Sequence, residues 1–405
     1  MVQEADVVVI GAGAFGASTA FHLAQLGRRV ILVDRHEPVS QTSPRAAGLA
    51  GQLRSTDTMS QLAMLSVGKI LRFEAETGEP LEAHQSGSLK LLRWPEQETH
   101  LAEEIARGRR LGLSLELVSP VEAQRRSPLL RPDGVRAALY APTDLFFEPG
   151  QLPLGYVRAA ARLGATVLSQ TAVTGIGSRA GAIEQVMTSQ GPIRAPAVVD
   201  AAGAWARLVG GAAGLNVPAI PTRHQLLITE PIDGVADEQP IVRIPDAQVY
   251  IRPANGGLLL GGYEAGPVQY DMAALPADFQ IQDLALDVGV LRALAERVAD
   301  QFPIFGQAPI RVHRGGLPTM TPDGRPLVGP APALRGLFIA GGCCVGGLSI
   351  APAVGAALAE WIVHGRPPLD LALLAPERFD SEYRSEERLR ERCQYVYAHY
   401  YDVVH

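Results

Sequence analysis

Gly11-Ala12-Gly13-Ala14-Phe15-Gly16 places glycine at the first, third and sixth positions of a turn, and Asp34 follows 18 residues after Gly16. That spacing suits the grip on a dinucleotide. Gly11 permits the tight turn, Gly13 lets the backbone approach a pyrophosphate, and Gly16 allows close packing of helix on strand. The helix that opens at Ala14 and Phe15 offers phosphate its unpaired N–H groups and a partial positive charge. Asp34 accepts from ribose hydroxyls, with Arg35 beside it.

A second glycine-rich turn lies near the other terminus, at Gly341, Gly342, Gly346 and Gly347, with Leu348 and Ser349 leading into a helix over residues 350–363. Ser349 is the expected N-cap of that helix, and Pro352 falls in its first turn, where a missing N–H is harmless. Between the two turns, Thr42, Ser43, Arg45, Ala46, Ala47, Gly48 and Leu49 form a loop of hydroxyls, small residues and one cation, suited to run along a long, partly anionic ligand. Val173 and a third turn at Ala202, Gly203 and Trp205 are assigned to the same ligand. Enclosure from both chain ends favours FAD over NAD. A helix N-terminus aimed at a flavin ring would stabilise its reduced, negatively charged form.

These turns need strands beneath them. Val7–Ile10 and Val30–Val33 are continuous apolar, β-branched runs around a helix over 14–26, the pattern of parallel strands buried on both faces. A second unit starts near Pro149, with a helix over 151–163, strands at 165–168 and 172–176, and another buried strand at 197–199. Residues 76–140 carry polar helices at 98–111 and 120–126. Runs at 225–229, 248–252 and 257–262 alternate, which predicts half-exposed antiparallel strands. The expected fold is α/β plus α+β: a discontinuous Rossmann-like domain (1–75, 141–215, 311–365), an inserted antiparallel-sheet substrate domain (76–140, 216–310) and a C-terminal helical extension (366–405).

The chain has 405 residues, 47% hydrophobic and 19% charged, with a formal net charge of −6. That balance excludes a general nucleic-acid binder, which needs clustered positive charge, and it excludes disorder. Three cysteines, Cys343, Cys344 and Cys393, form no disulfide framework or metal-ligand pattern. No signal peptide precedes the first strand, so a cytoplasmic setting is expected. Residues 337–359 lack charge and mimic a membrane span, but their glycines and Pro352 predict strand, turn and helix instead. The tyrosines at 383, 395, 397, 400 and 401 stripe the polar segment from 376 to 401, as a cap on the protein's own core or as a docking surface for itself or another chain.

The segments VVVIGAGAFGASTAFHLAQLG (7–27), TSPRAAGL, VVDAAGAW (198–205), RHQLLITEPI (223–232), TPDGRPLVGPAP (321–332) and GGLSIAPAVGAALAEWI (346–362) together resemble the D-amino-acid-oxidase superfamily of FAD enzymes, nearest its sarcosine and dimethylglycine dehydrogenase branch. The resemblance covers essentially the whole chain. It implies FAD and oxidation of an amine C–N bond, the hydride passing to flavin N5 and the iminium product then hydrolysing. Relatives with covalent flavin carry histidine where this chain has Arg45, and no linking cysteine stands at 318–329, so noncovalent FAD is implied. Only Lys69 and Lys90 are lysines, so the flavin-side lysine that oxidases of this group use on oxygen has no counterpart.

Amine oxidation needs a nitrogen lone pair, so the site must accept a proton. His224 is the first candidate, since histidine titrates near neutrality, and the resemblance places an active-site histidine in the same His-Gln motif. Tyr250 is the second, to orient the amine, relay a proton or wall a cation. Arg54 and Arg252 are candidates to clamp a substrate carboxylate. A D-amino-acid or imino-acid dehydrogenase is the competing reading, weakened because Pro318, and not arginine, follows Gly316-Leu317. A flavin-bearing subunit of a larger complex is the third. The electron acceptor, oxygen or a redox protein, is left open.

Overall fold

The computed structural model describes residues 3–379 and 381–404. Met1, Val2, Asp380 and His405 lie outside the described residues, and with them the extreme ends of the predicted 1–75 and 366–405 segments. In chain order the elements that build the site are β1 (Val7–Ile10), α1 (Ala14–Gln25), β2 (Val30–Val33), α2 (Asp57–Leu71), β3 (Ser88–Leu92), β4 (Glu116–Val118), β5 (Ala137–Ala141), α3 (Gln151–Arg162), β6 (Thr166–Leu168), β7 (Ala197–Asp200), β8 (His224–Thr229), β9 (Ile241–Ile244), β10 (Val249–Ala254), β11 (Gly257–Gly262), α4 (Val288–Glu296), β12 (Ile310–Gly316), β13 (Leu327–Pro330), β14 (Leu337–Gly341), α5 (Gly347–His364), α6 (Glu386–Ala398) and α7 (Tyr400–Val403).

The first sheet has the order β6-β2-β1-β7-β14-β13, parallel except for the last pair. β1 and β2 are apolar throughout because each face of the sheet has its own core. Val7, Val9, Val30 and Leu32 join the cluster under the helices, while Val8, Ile10, Ile31 and Val33 join a separate cluster on the other side. Val173–Arg179, expected to extend this unit, instead pairs with Ala182–Thr188 in a small four-stranded sheet. None of that strand's residues is fully buried, and a parallel interior strand needs burial on both faces.

The second sheet has the order β12-β8-β11-β10-β9-β3-β5-β4 and is antiparallel except for the β9–β3 pair. β12 belongs here, hydrogen-bonded to β8 from His224↔Gly316 to Thr229↔Ile310, so this sheet also draws on residues placed after 310. β8, β10 and β11 are not half-exposed as the alternation predicts: all their residues are buried. Their alternation separates two buried environments. Leu227, Val249, Ile251, Leu258 and Leu260 face a core that includes Leu291 and Leu294 of α4, and Leu226, Tyr250 and Leu259 face α6 and α7.

α5 is long and apolar enough to cross a membrane, but most of it is buried against α1 and α2. It begins at Gly347, earlier than predicted, with Gly346 at its N-cap, so Ser349 lies inside the first turn and Pro352 inside the helix. The approach to α1 is close: a Cβ added at Gly355 would meet Ser18 Oγ at 2.2 Å and the Ser18 carbonyl carbon at 2.6 Å. Gly355→Ala should therefore cost about 1–3 kcal/mol by overpacking, read as a lower denaturant midpoint at unchanged slope.

Candidate active site

An elongated cleft of about 2080 Å³, its open mouth included, runs between the two sheets from Asp34 to Tyr400 and Tyr401. Gly11 opens it in a left-handed backbone conformation, φ +102°, and a Cβ there would meet Ala201 O at 2.4 Å, so glycine is required on both counts. Asp34 Oδ2 accepts the Ala12 N–H at 2.7 Å and Oδ1 accepts the His36 N–H at 2.8 Å. Each oxygen keeps a second lone pair for another donor. Arg35 donates to Ala277 O and lies over the Trp205 ring at 5.4 Å.

Along the middle, the helix start of α1 carries no side-chain cap at Gly13; Ser43 Oγ accepts the Ala14 N–H at 3.1 Å. Phe15, Thr42, Arg45, Ala46, Ala47, Gly48, Leu49, Val173, Ala202 and Gly203 also line the cleft. Arg45 braces its own loop by donating to Ser40 O and Gln41 O. Gly341, Gly346, Gly347, Leu348 and Ser349 line the far part, where α5 also starts without a side-chain cap.

Three expected site residues lie elsewhere. Gly16 is a packing position, since a Cβ there would meet Gly11 O at 1.8 Å, and Gly342 is hemmed in by Thr321 at 2.4 Å. Arg252 is no carboxylate clamp: its Nε donates to Ala47 O at 2.7 Å, Nη1 donates to Pro253 O, and the guanidinium covers Phe146, so it holds the loop from behind.

The far end of the cleft gathers His224, Tyr250 and Arg54 with four residues the sequence reading did not single out for the site, Arg243, Tyr263, Tyr400 and Tyr401. His224 Nε2 lies 2.7 Å from the Tyr250 hydroxyl and Nδ1 lies 2.8 Å from the Tyr397 hydroxyl. Tyr250 needs the glycine opposite it in register, because a Cβ at Gly261 would meet its hydroxyl at 2.3 Å. Burial holds the His224 imidazole down to about 4, so it is neutral across the physiological range and does not titrate near pH 7 as expected. Burial likewise pushes the Tyr250 and Tyr263 phenols up. Arg54 Nη2 donates to Ser349 Oγ at 3.0 Å, and Arg243 pairs with Asp144 at 3.6 Å. Arg243 was legible as a lone charge in the apolar strand Ile-Val-Arg-Ile; Tyr400 and Tyr401 were noted only as part of a stripe. Cys343 also lines the cleft, while burial pushes the Cys344 thiol up to about 12, so Cys344 stays a thiol. Lys69 and Lys90 pair with Glu76 and Glu104, and neither lines the cleft.

A doubly covered, mostly parallel sheet, a glycine turn feeding one helix and a second glycine-led helix on the same cleft define a dinucleotide-binding protein. Residues 6–361 match the family described as FAD dependent oxidoreductase, and the chain belongs to it. It is 35% identical over 99% of its length to mouse sarcosine dehydrogenase and 32% identical over 93% to rat dimethylglycine dehydrogenase. It spans 44% and 45% of those two proteins' own lengths. Among solved structures, L-proline dehydrogenase from P. horikoshii aligns with TM-score 0.85 and 27% identity, over 94% of this chain and 98% of that one. FAD fits the residues present: both uncapped helix starts open on the cleft, Gly203 has open space around its Cα, and Asp34 closes one end.

Asp200, on the strand before the third glycine turn, is a buried carboxyl whose Oδ1 accepts the Ala202 N–H at 3.1 Å while Oδ2 meets no partner among the described residues. Burial pushes it up to about 8. The unfolded carboxyl ionises near pH ~4, so stability is full below that, falls as pH rises towards 8 and then levels. Asp200→Asn should flatten the fall in Tm between pH 5 and pH 8; an unchanged slope would show that Asp200 is ionised in the fold.

Proposed function

We propose that the protein oxidises the C–N bond of a secondary or tertiary amine, an N-methyl or N-alkyl amino acid of the sarcosine or dimethylglycine type, with FAD held noncovalently. The observation that carries this reading is the neutral His224–Tyr250 pair facing the cleft beside Arg54, within a wall of tyrosine rings. FAD bound in the cleft supplies the acceptor for the hydride that leaves the substrate carbon.

The protein's own residues have three tasks. The first is charge: Arg54 and Arg243 against Asp144 leave one net positive charge at this end, suited to a monoanionic carboxylate, with Arg54 the group that contacts it. The second is shape, because the π-faces of Tyr250, Tyr263 and Tyr400 favour an alkylated ammonium on arrival. The third is the proton. A buried imidazole that accepts from the Tyr250 hydroxyl leaves the phenol oxygen free to take the ammonium proton, and the nitrogen lone pair can then assist hydride departure. Water hydrolyses the iminium product to an aldehyde and a smaller amine. Similarity to sarcosine and dimethylglycine dehydrogenases supports this class, and similarity to L-proline dehydrogenase adds a cyclic secondary amine to it.

Anaerobic mixing with sarcosine, dimethylglycine, L-proline and D-alanine should bleach the flavin fastest with one of the first three. His224→Ala should slow bleaching at least tenfold while the protein stays yellow; unchanged bleaching removes His224 from the mechanism. Acid precipitation should leave FAD in the supernatant, and colour in the pellet would show a covalent link.

A further inference from the structure

His224 is hydrogen-bonded on both ring nitrogens, and the second partner comes from the far end of the chain. Tyr250 stands on β10, His224 on β8 and Tyr397 on α6, all three buried, with hydroxyl-to-ring distances of 2.7 and 2.8 Å. A neutral imidazole has one N–H, so one tyrosine must donate to it and the other must accept from it. The line is therefore ordered, and its order decides whether Tyr250 shows the cleft a lone pair or a hydrogen.

We propose that Tyr397 is a positioning residue that sets the His224 tautomer, and so decides whether Tyr250 and His224 can take a proton from the cleft. The proposal rests on the amine-oxidation reading of the cleft. In the receptive arrangement Tyr250 donates to Nε2, Nδ1–H donates to Tyr397, and the Tyr397 hydrogen points outward. An ammonium proton moves to the Tyr250 oxygen as the Tyr250 proton moves to Nε2. The Nδ1 proton stays in its hydrogen bond to the Tyr397 oxygen, which steadies the imidazolium formed as the hydride departs. The amine is left neutral, its positive charge has passed to the imidazolium, and both tyrosines end uncharged.

Glu264 and Arg223, paired at 3.5 Å, act on the Tyr397 phenol in opposite directions. The other groups around the line belong to it or flank it. Tyr263 lies 5.2 Å from the His224 ring and 5.3 Å from the Tyr397 ring, while Arg314 and Arg252 act on Tyr250 along with Tyr400 and Tyr401. Transfer in one concerted movement suits such a setting, because an imidazolium or phenolate at rest would be strongly penalised by burial.

The test uses FAD-loaded protein, wild type against Tyr397→Phe, which keeps the ring and removes the hydroxyl. Ring ¹⁵N NMR of His224 should show a changed tautomer population in the variant, with FAD content and visible spectrum unchanged. Stopped-flow flavin reduction should slow about tenfold near pH 7, recover above the amine's own pKa and lose its solvent deuterium effect. Unchanged ¹⁵N shifts in Tyr397→Phe, or an unchanged pH profile of flavin reduction, overturns the assignment. If the wild type is bleached by no amine, the functional reading falls, and the ¹⁵N comparison still decides whether Tyr397 sets the tautomer.

Discussion

The site depends on one close contact: α5 lying on α1 where Gly355 meets Ser18. Two helices from opposite ends of the chain are thereby held side by side, and each has a glycine at its N-cap, with Ser43 taking only the Ala14 N–H of α1. Uncapped N–H groups are costly if buried without partners, and they gain most from an anionic or polar ligand. Packing far beneath the cleft thus decides that both helix starts face one ligand. The same contact brings residues from opposite ends of the chain onto one cleft.

A second constraint is the neutrality of the reacting end. The imidazole and the phenols around it are all shifted towards their uncharged forms by burial, while the permanent charges, Arg54 and Arg243, are tied to Ser349 and Asp144. A buried site of this kind favours hydrogen-bond order, set by fixed partners, over a base that titrates near neutrality. The Arg252 and Arg314 side chains contribute from outside: they fix Ala47 O and Ala46 O, and so hold the loop that lines the cleft.

Much of this was legible in the residues themselves. Continuous apolar strands, the turn beginning at Gly11 and the spacing to Asp34 are local signals with local causes, and the structure has strands and helices close to those positions. The alternating strands were found too, but alternation tells which residues share a face and not what covers that face. β8 and β10 were therefore read as half-exposed, although α4 covers one side and α6 with α7 the other. Arg252 shares its face with Tyr250, yet it is displaced along the strand to the back of the loop, and two residues of rise were enough to change its role.

What stayed hidden was long-range. Nothing near Tyr397, Tyr400 or Tyr401 in the chain says that they pack against a strand some 170 residues away, and polar sequence around an aromatic stripe describes a core cap and a docking face equally well. The structure separates the two by burial: Tyr397, Tyr400 and Tyr401 are inside, and Tyr395, with half its surface exposed, is the member of the stripe that faces out. Once inside, these tyrosines share the hydrogen bonds and ring contacts of His224 and Tyr263. The C-terminal segment is therefore not an appendage to a finished site. It supplies one partner of the histidine and part of the wall around it, so the chemistry at the cleft and the docking of α6 and α7 stand or fall together.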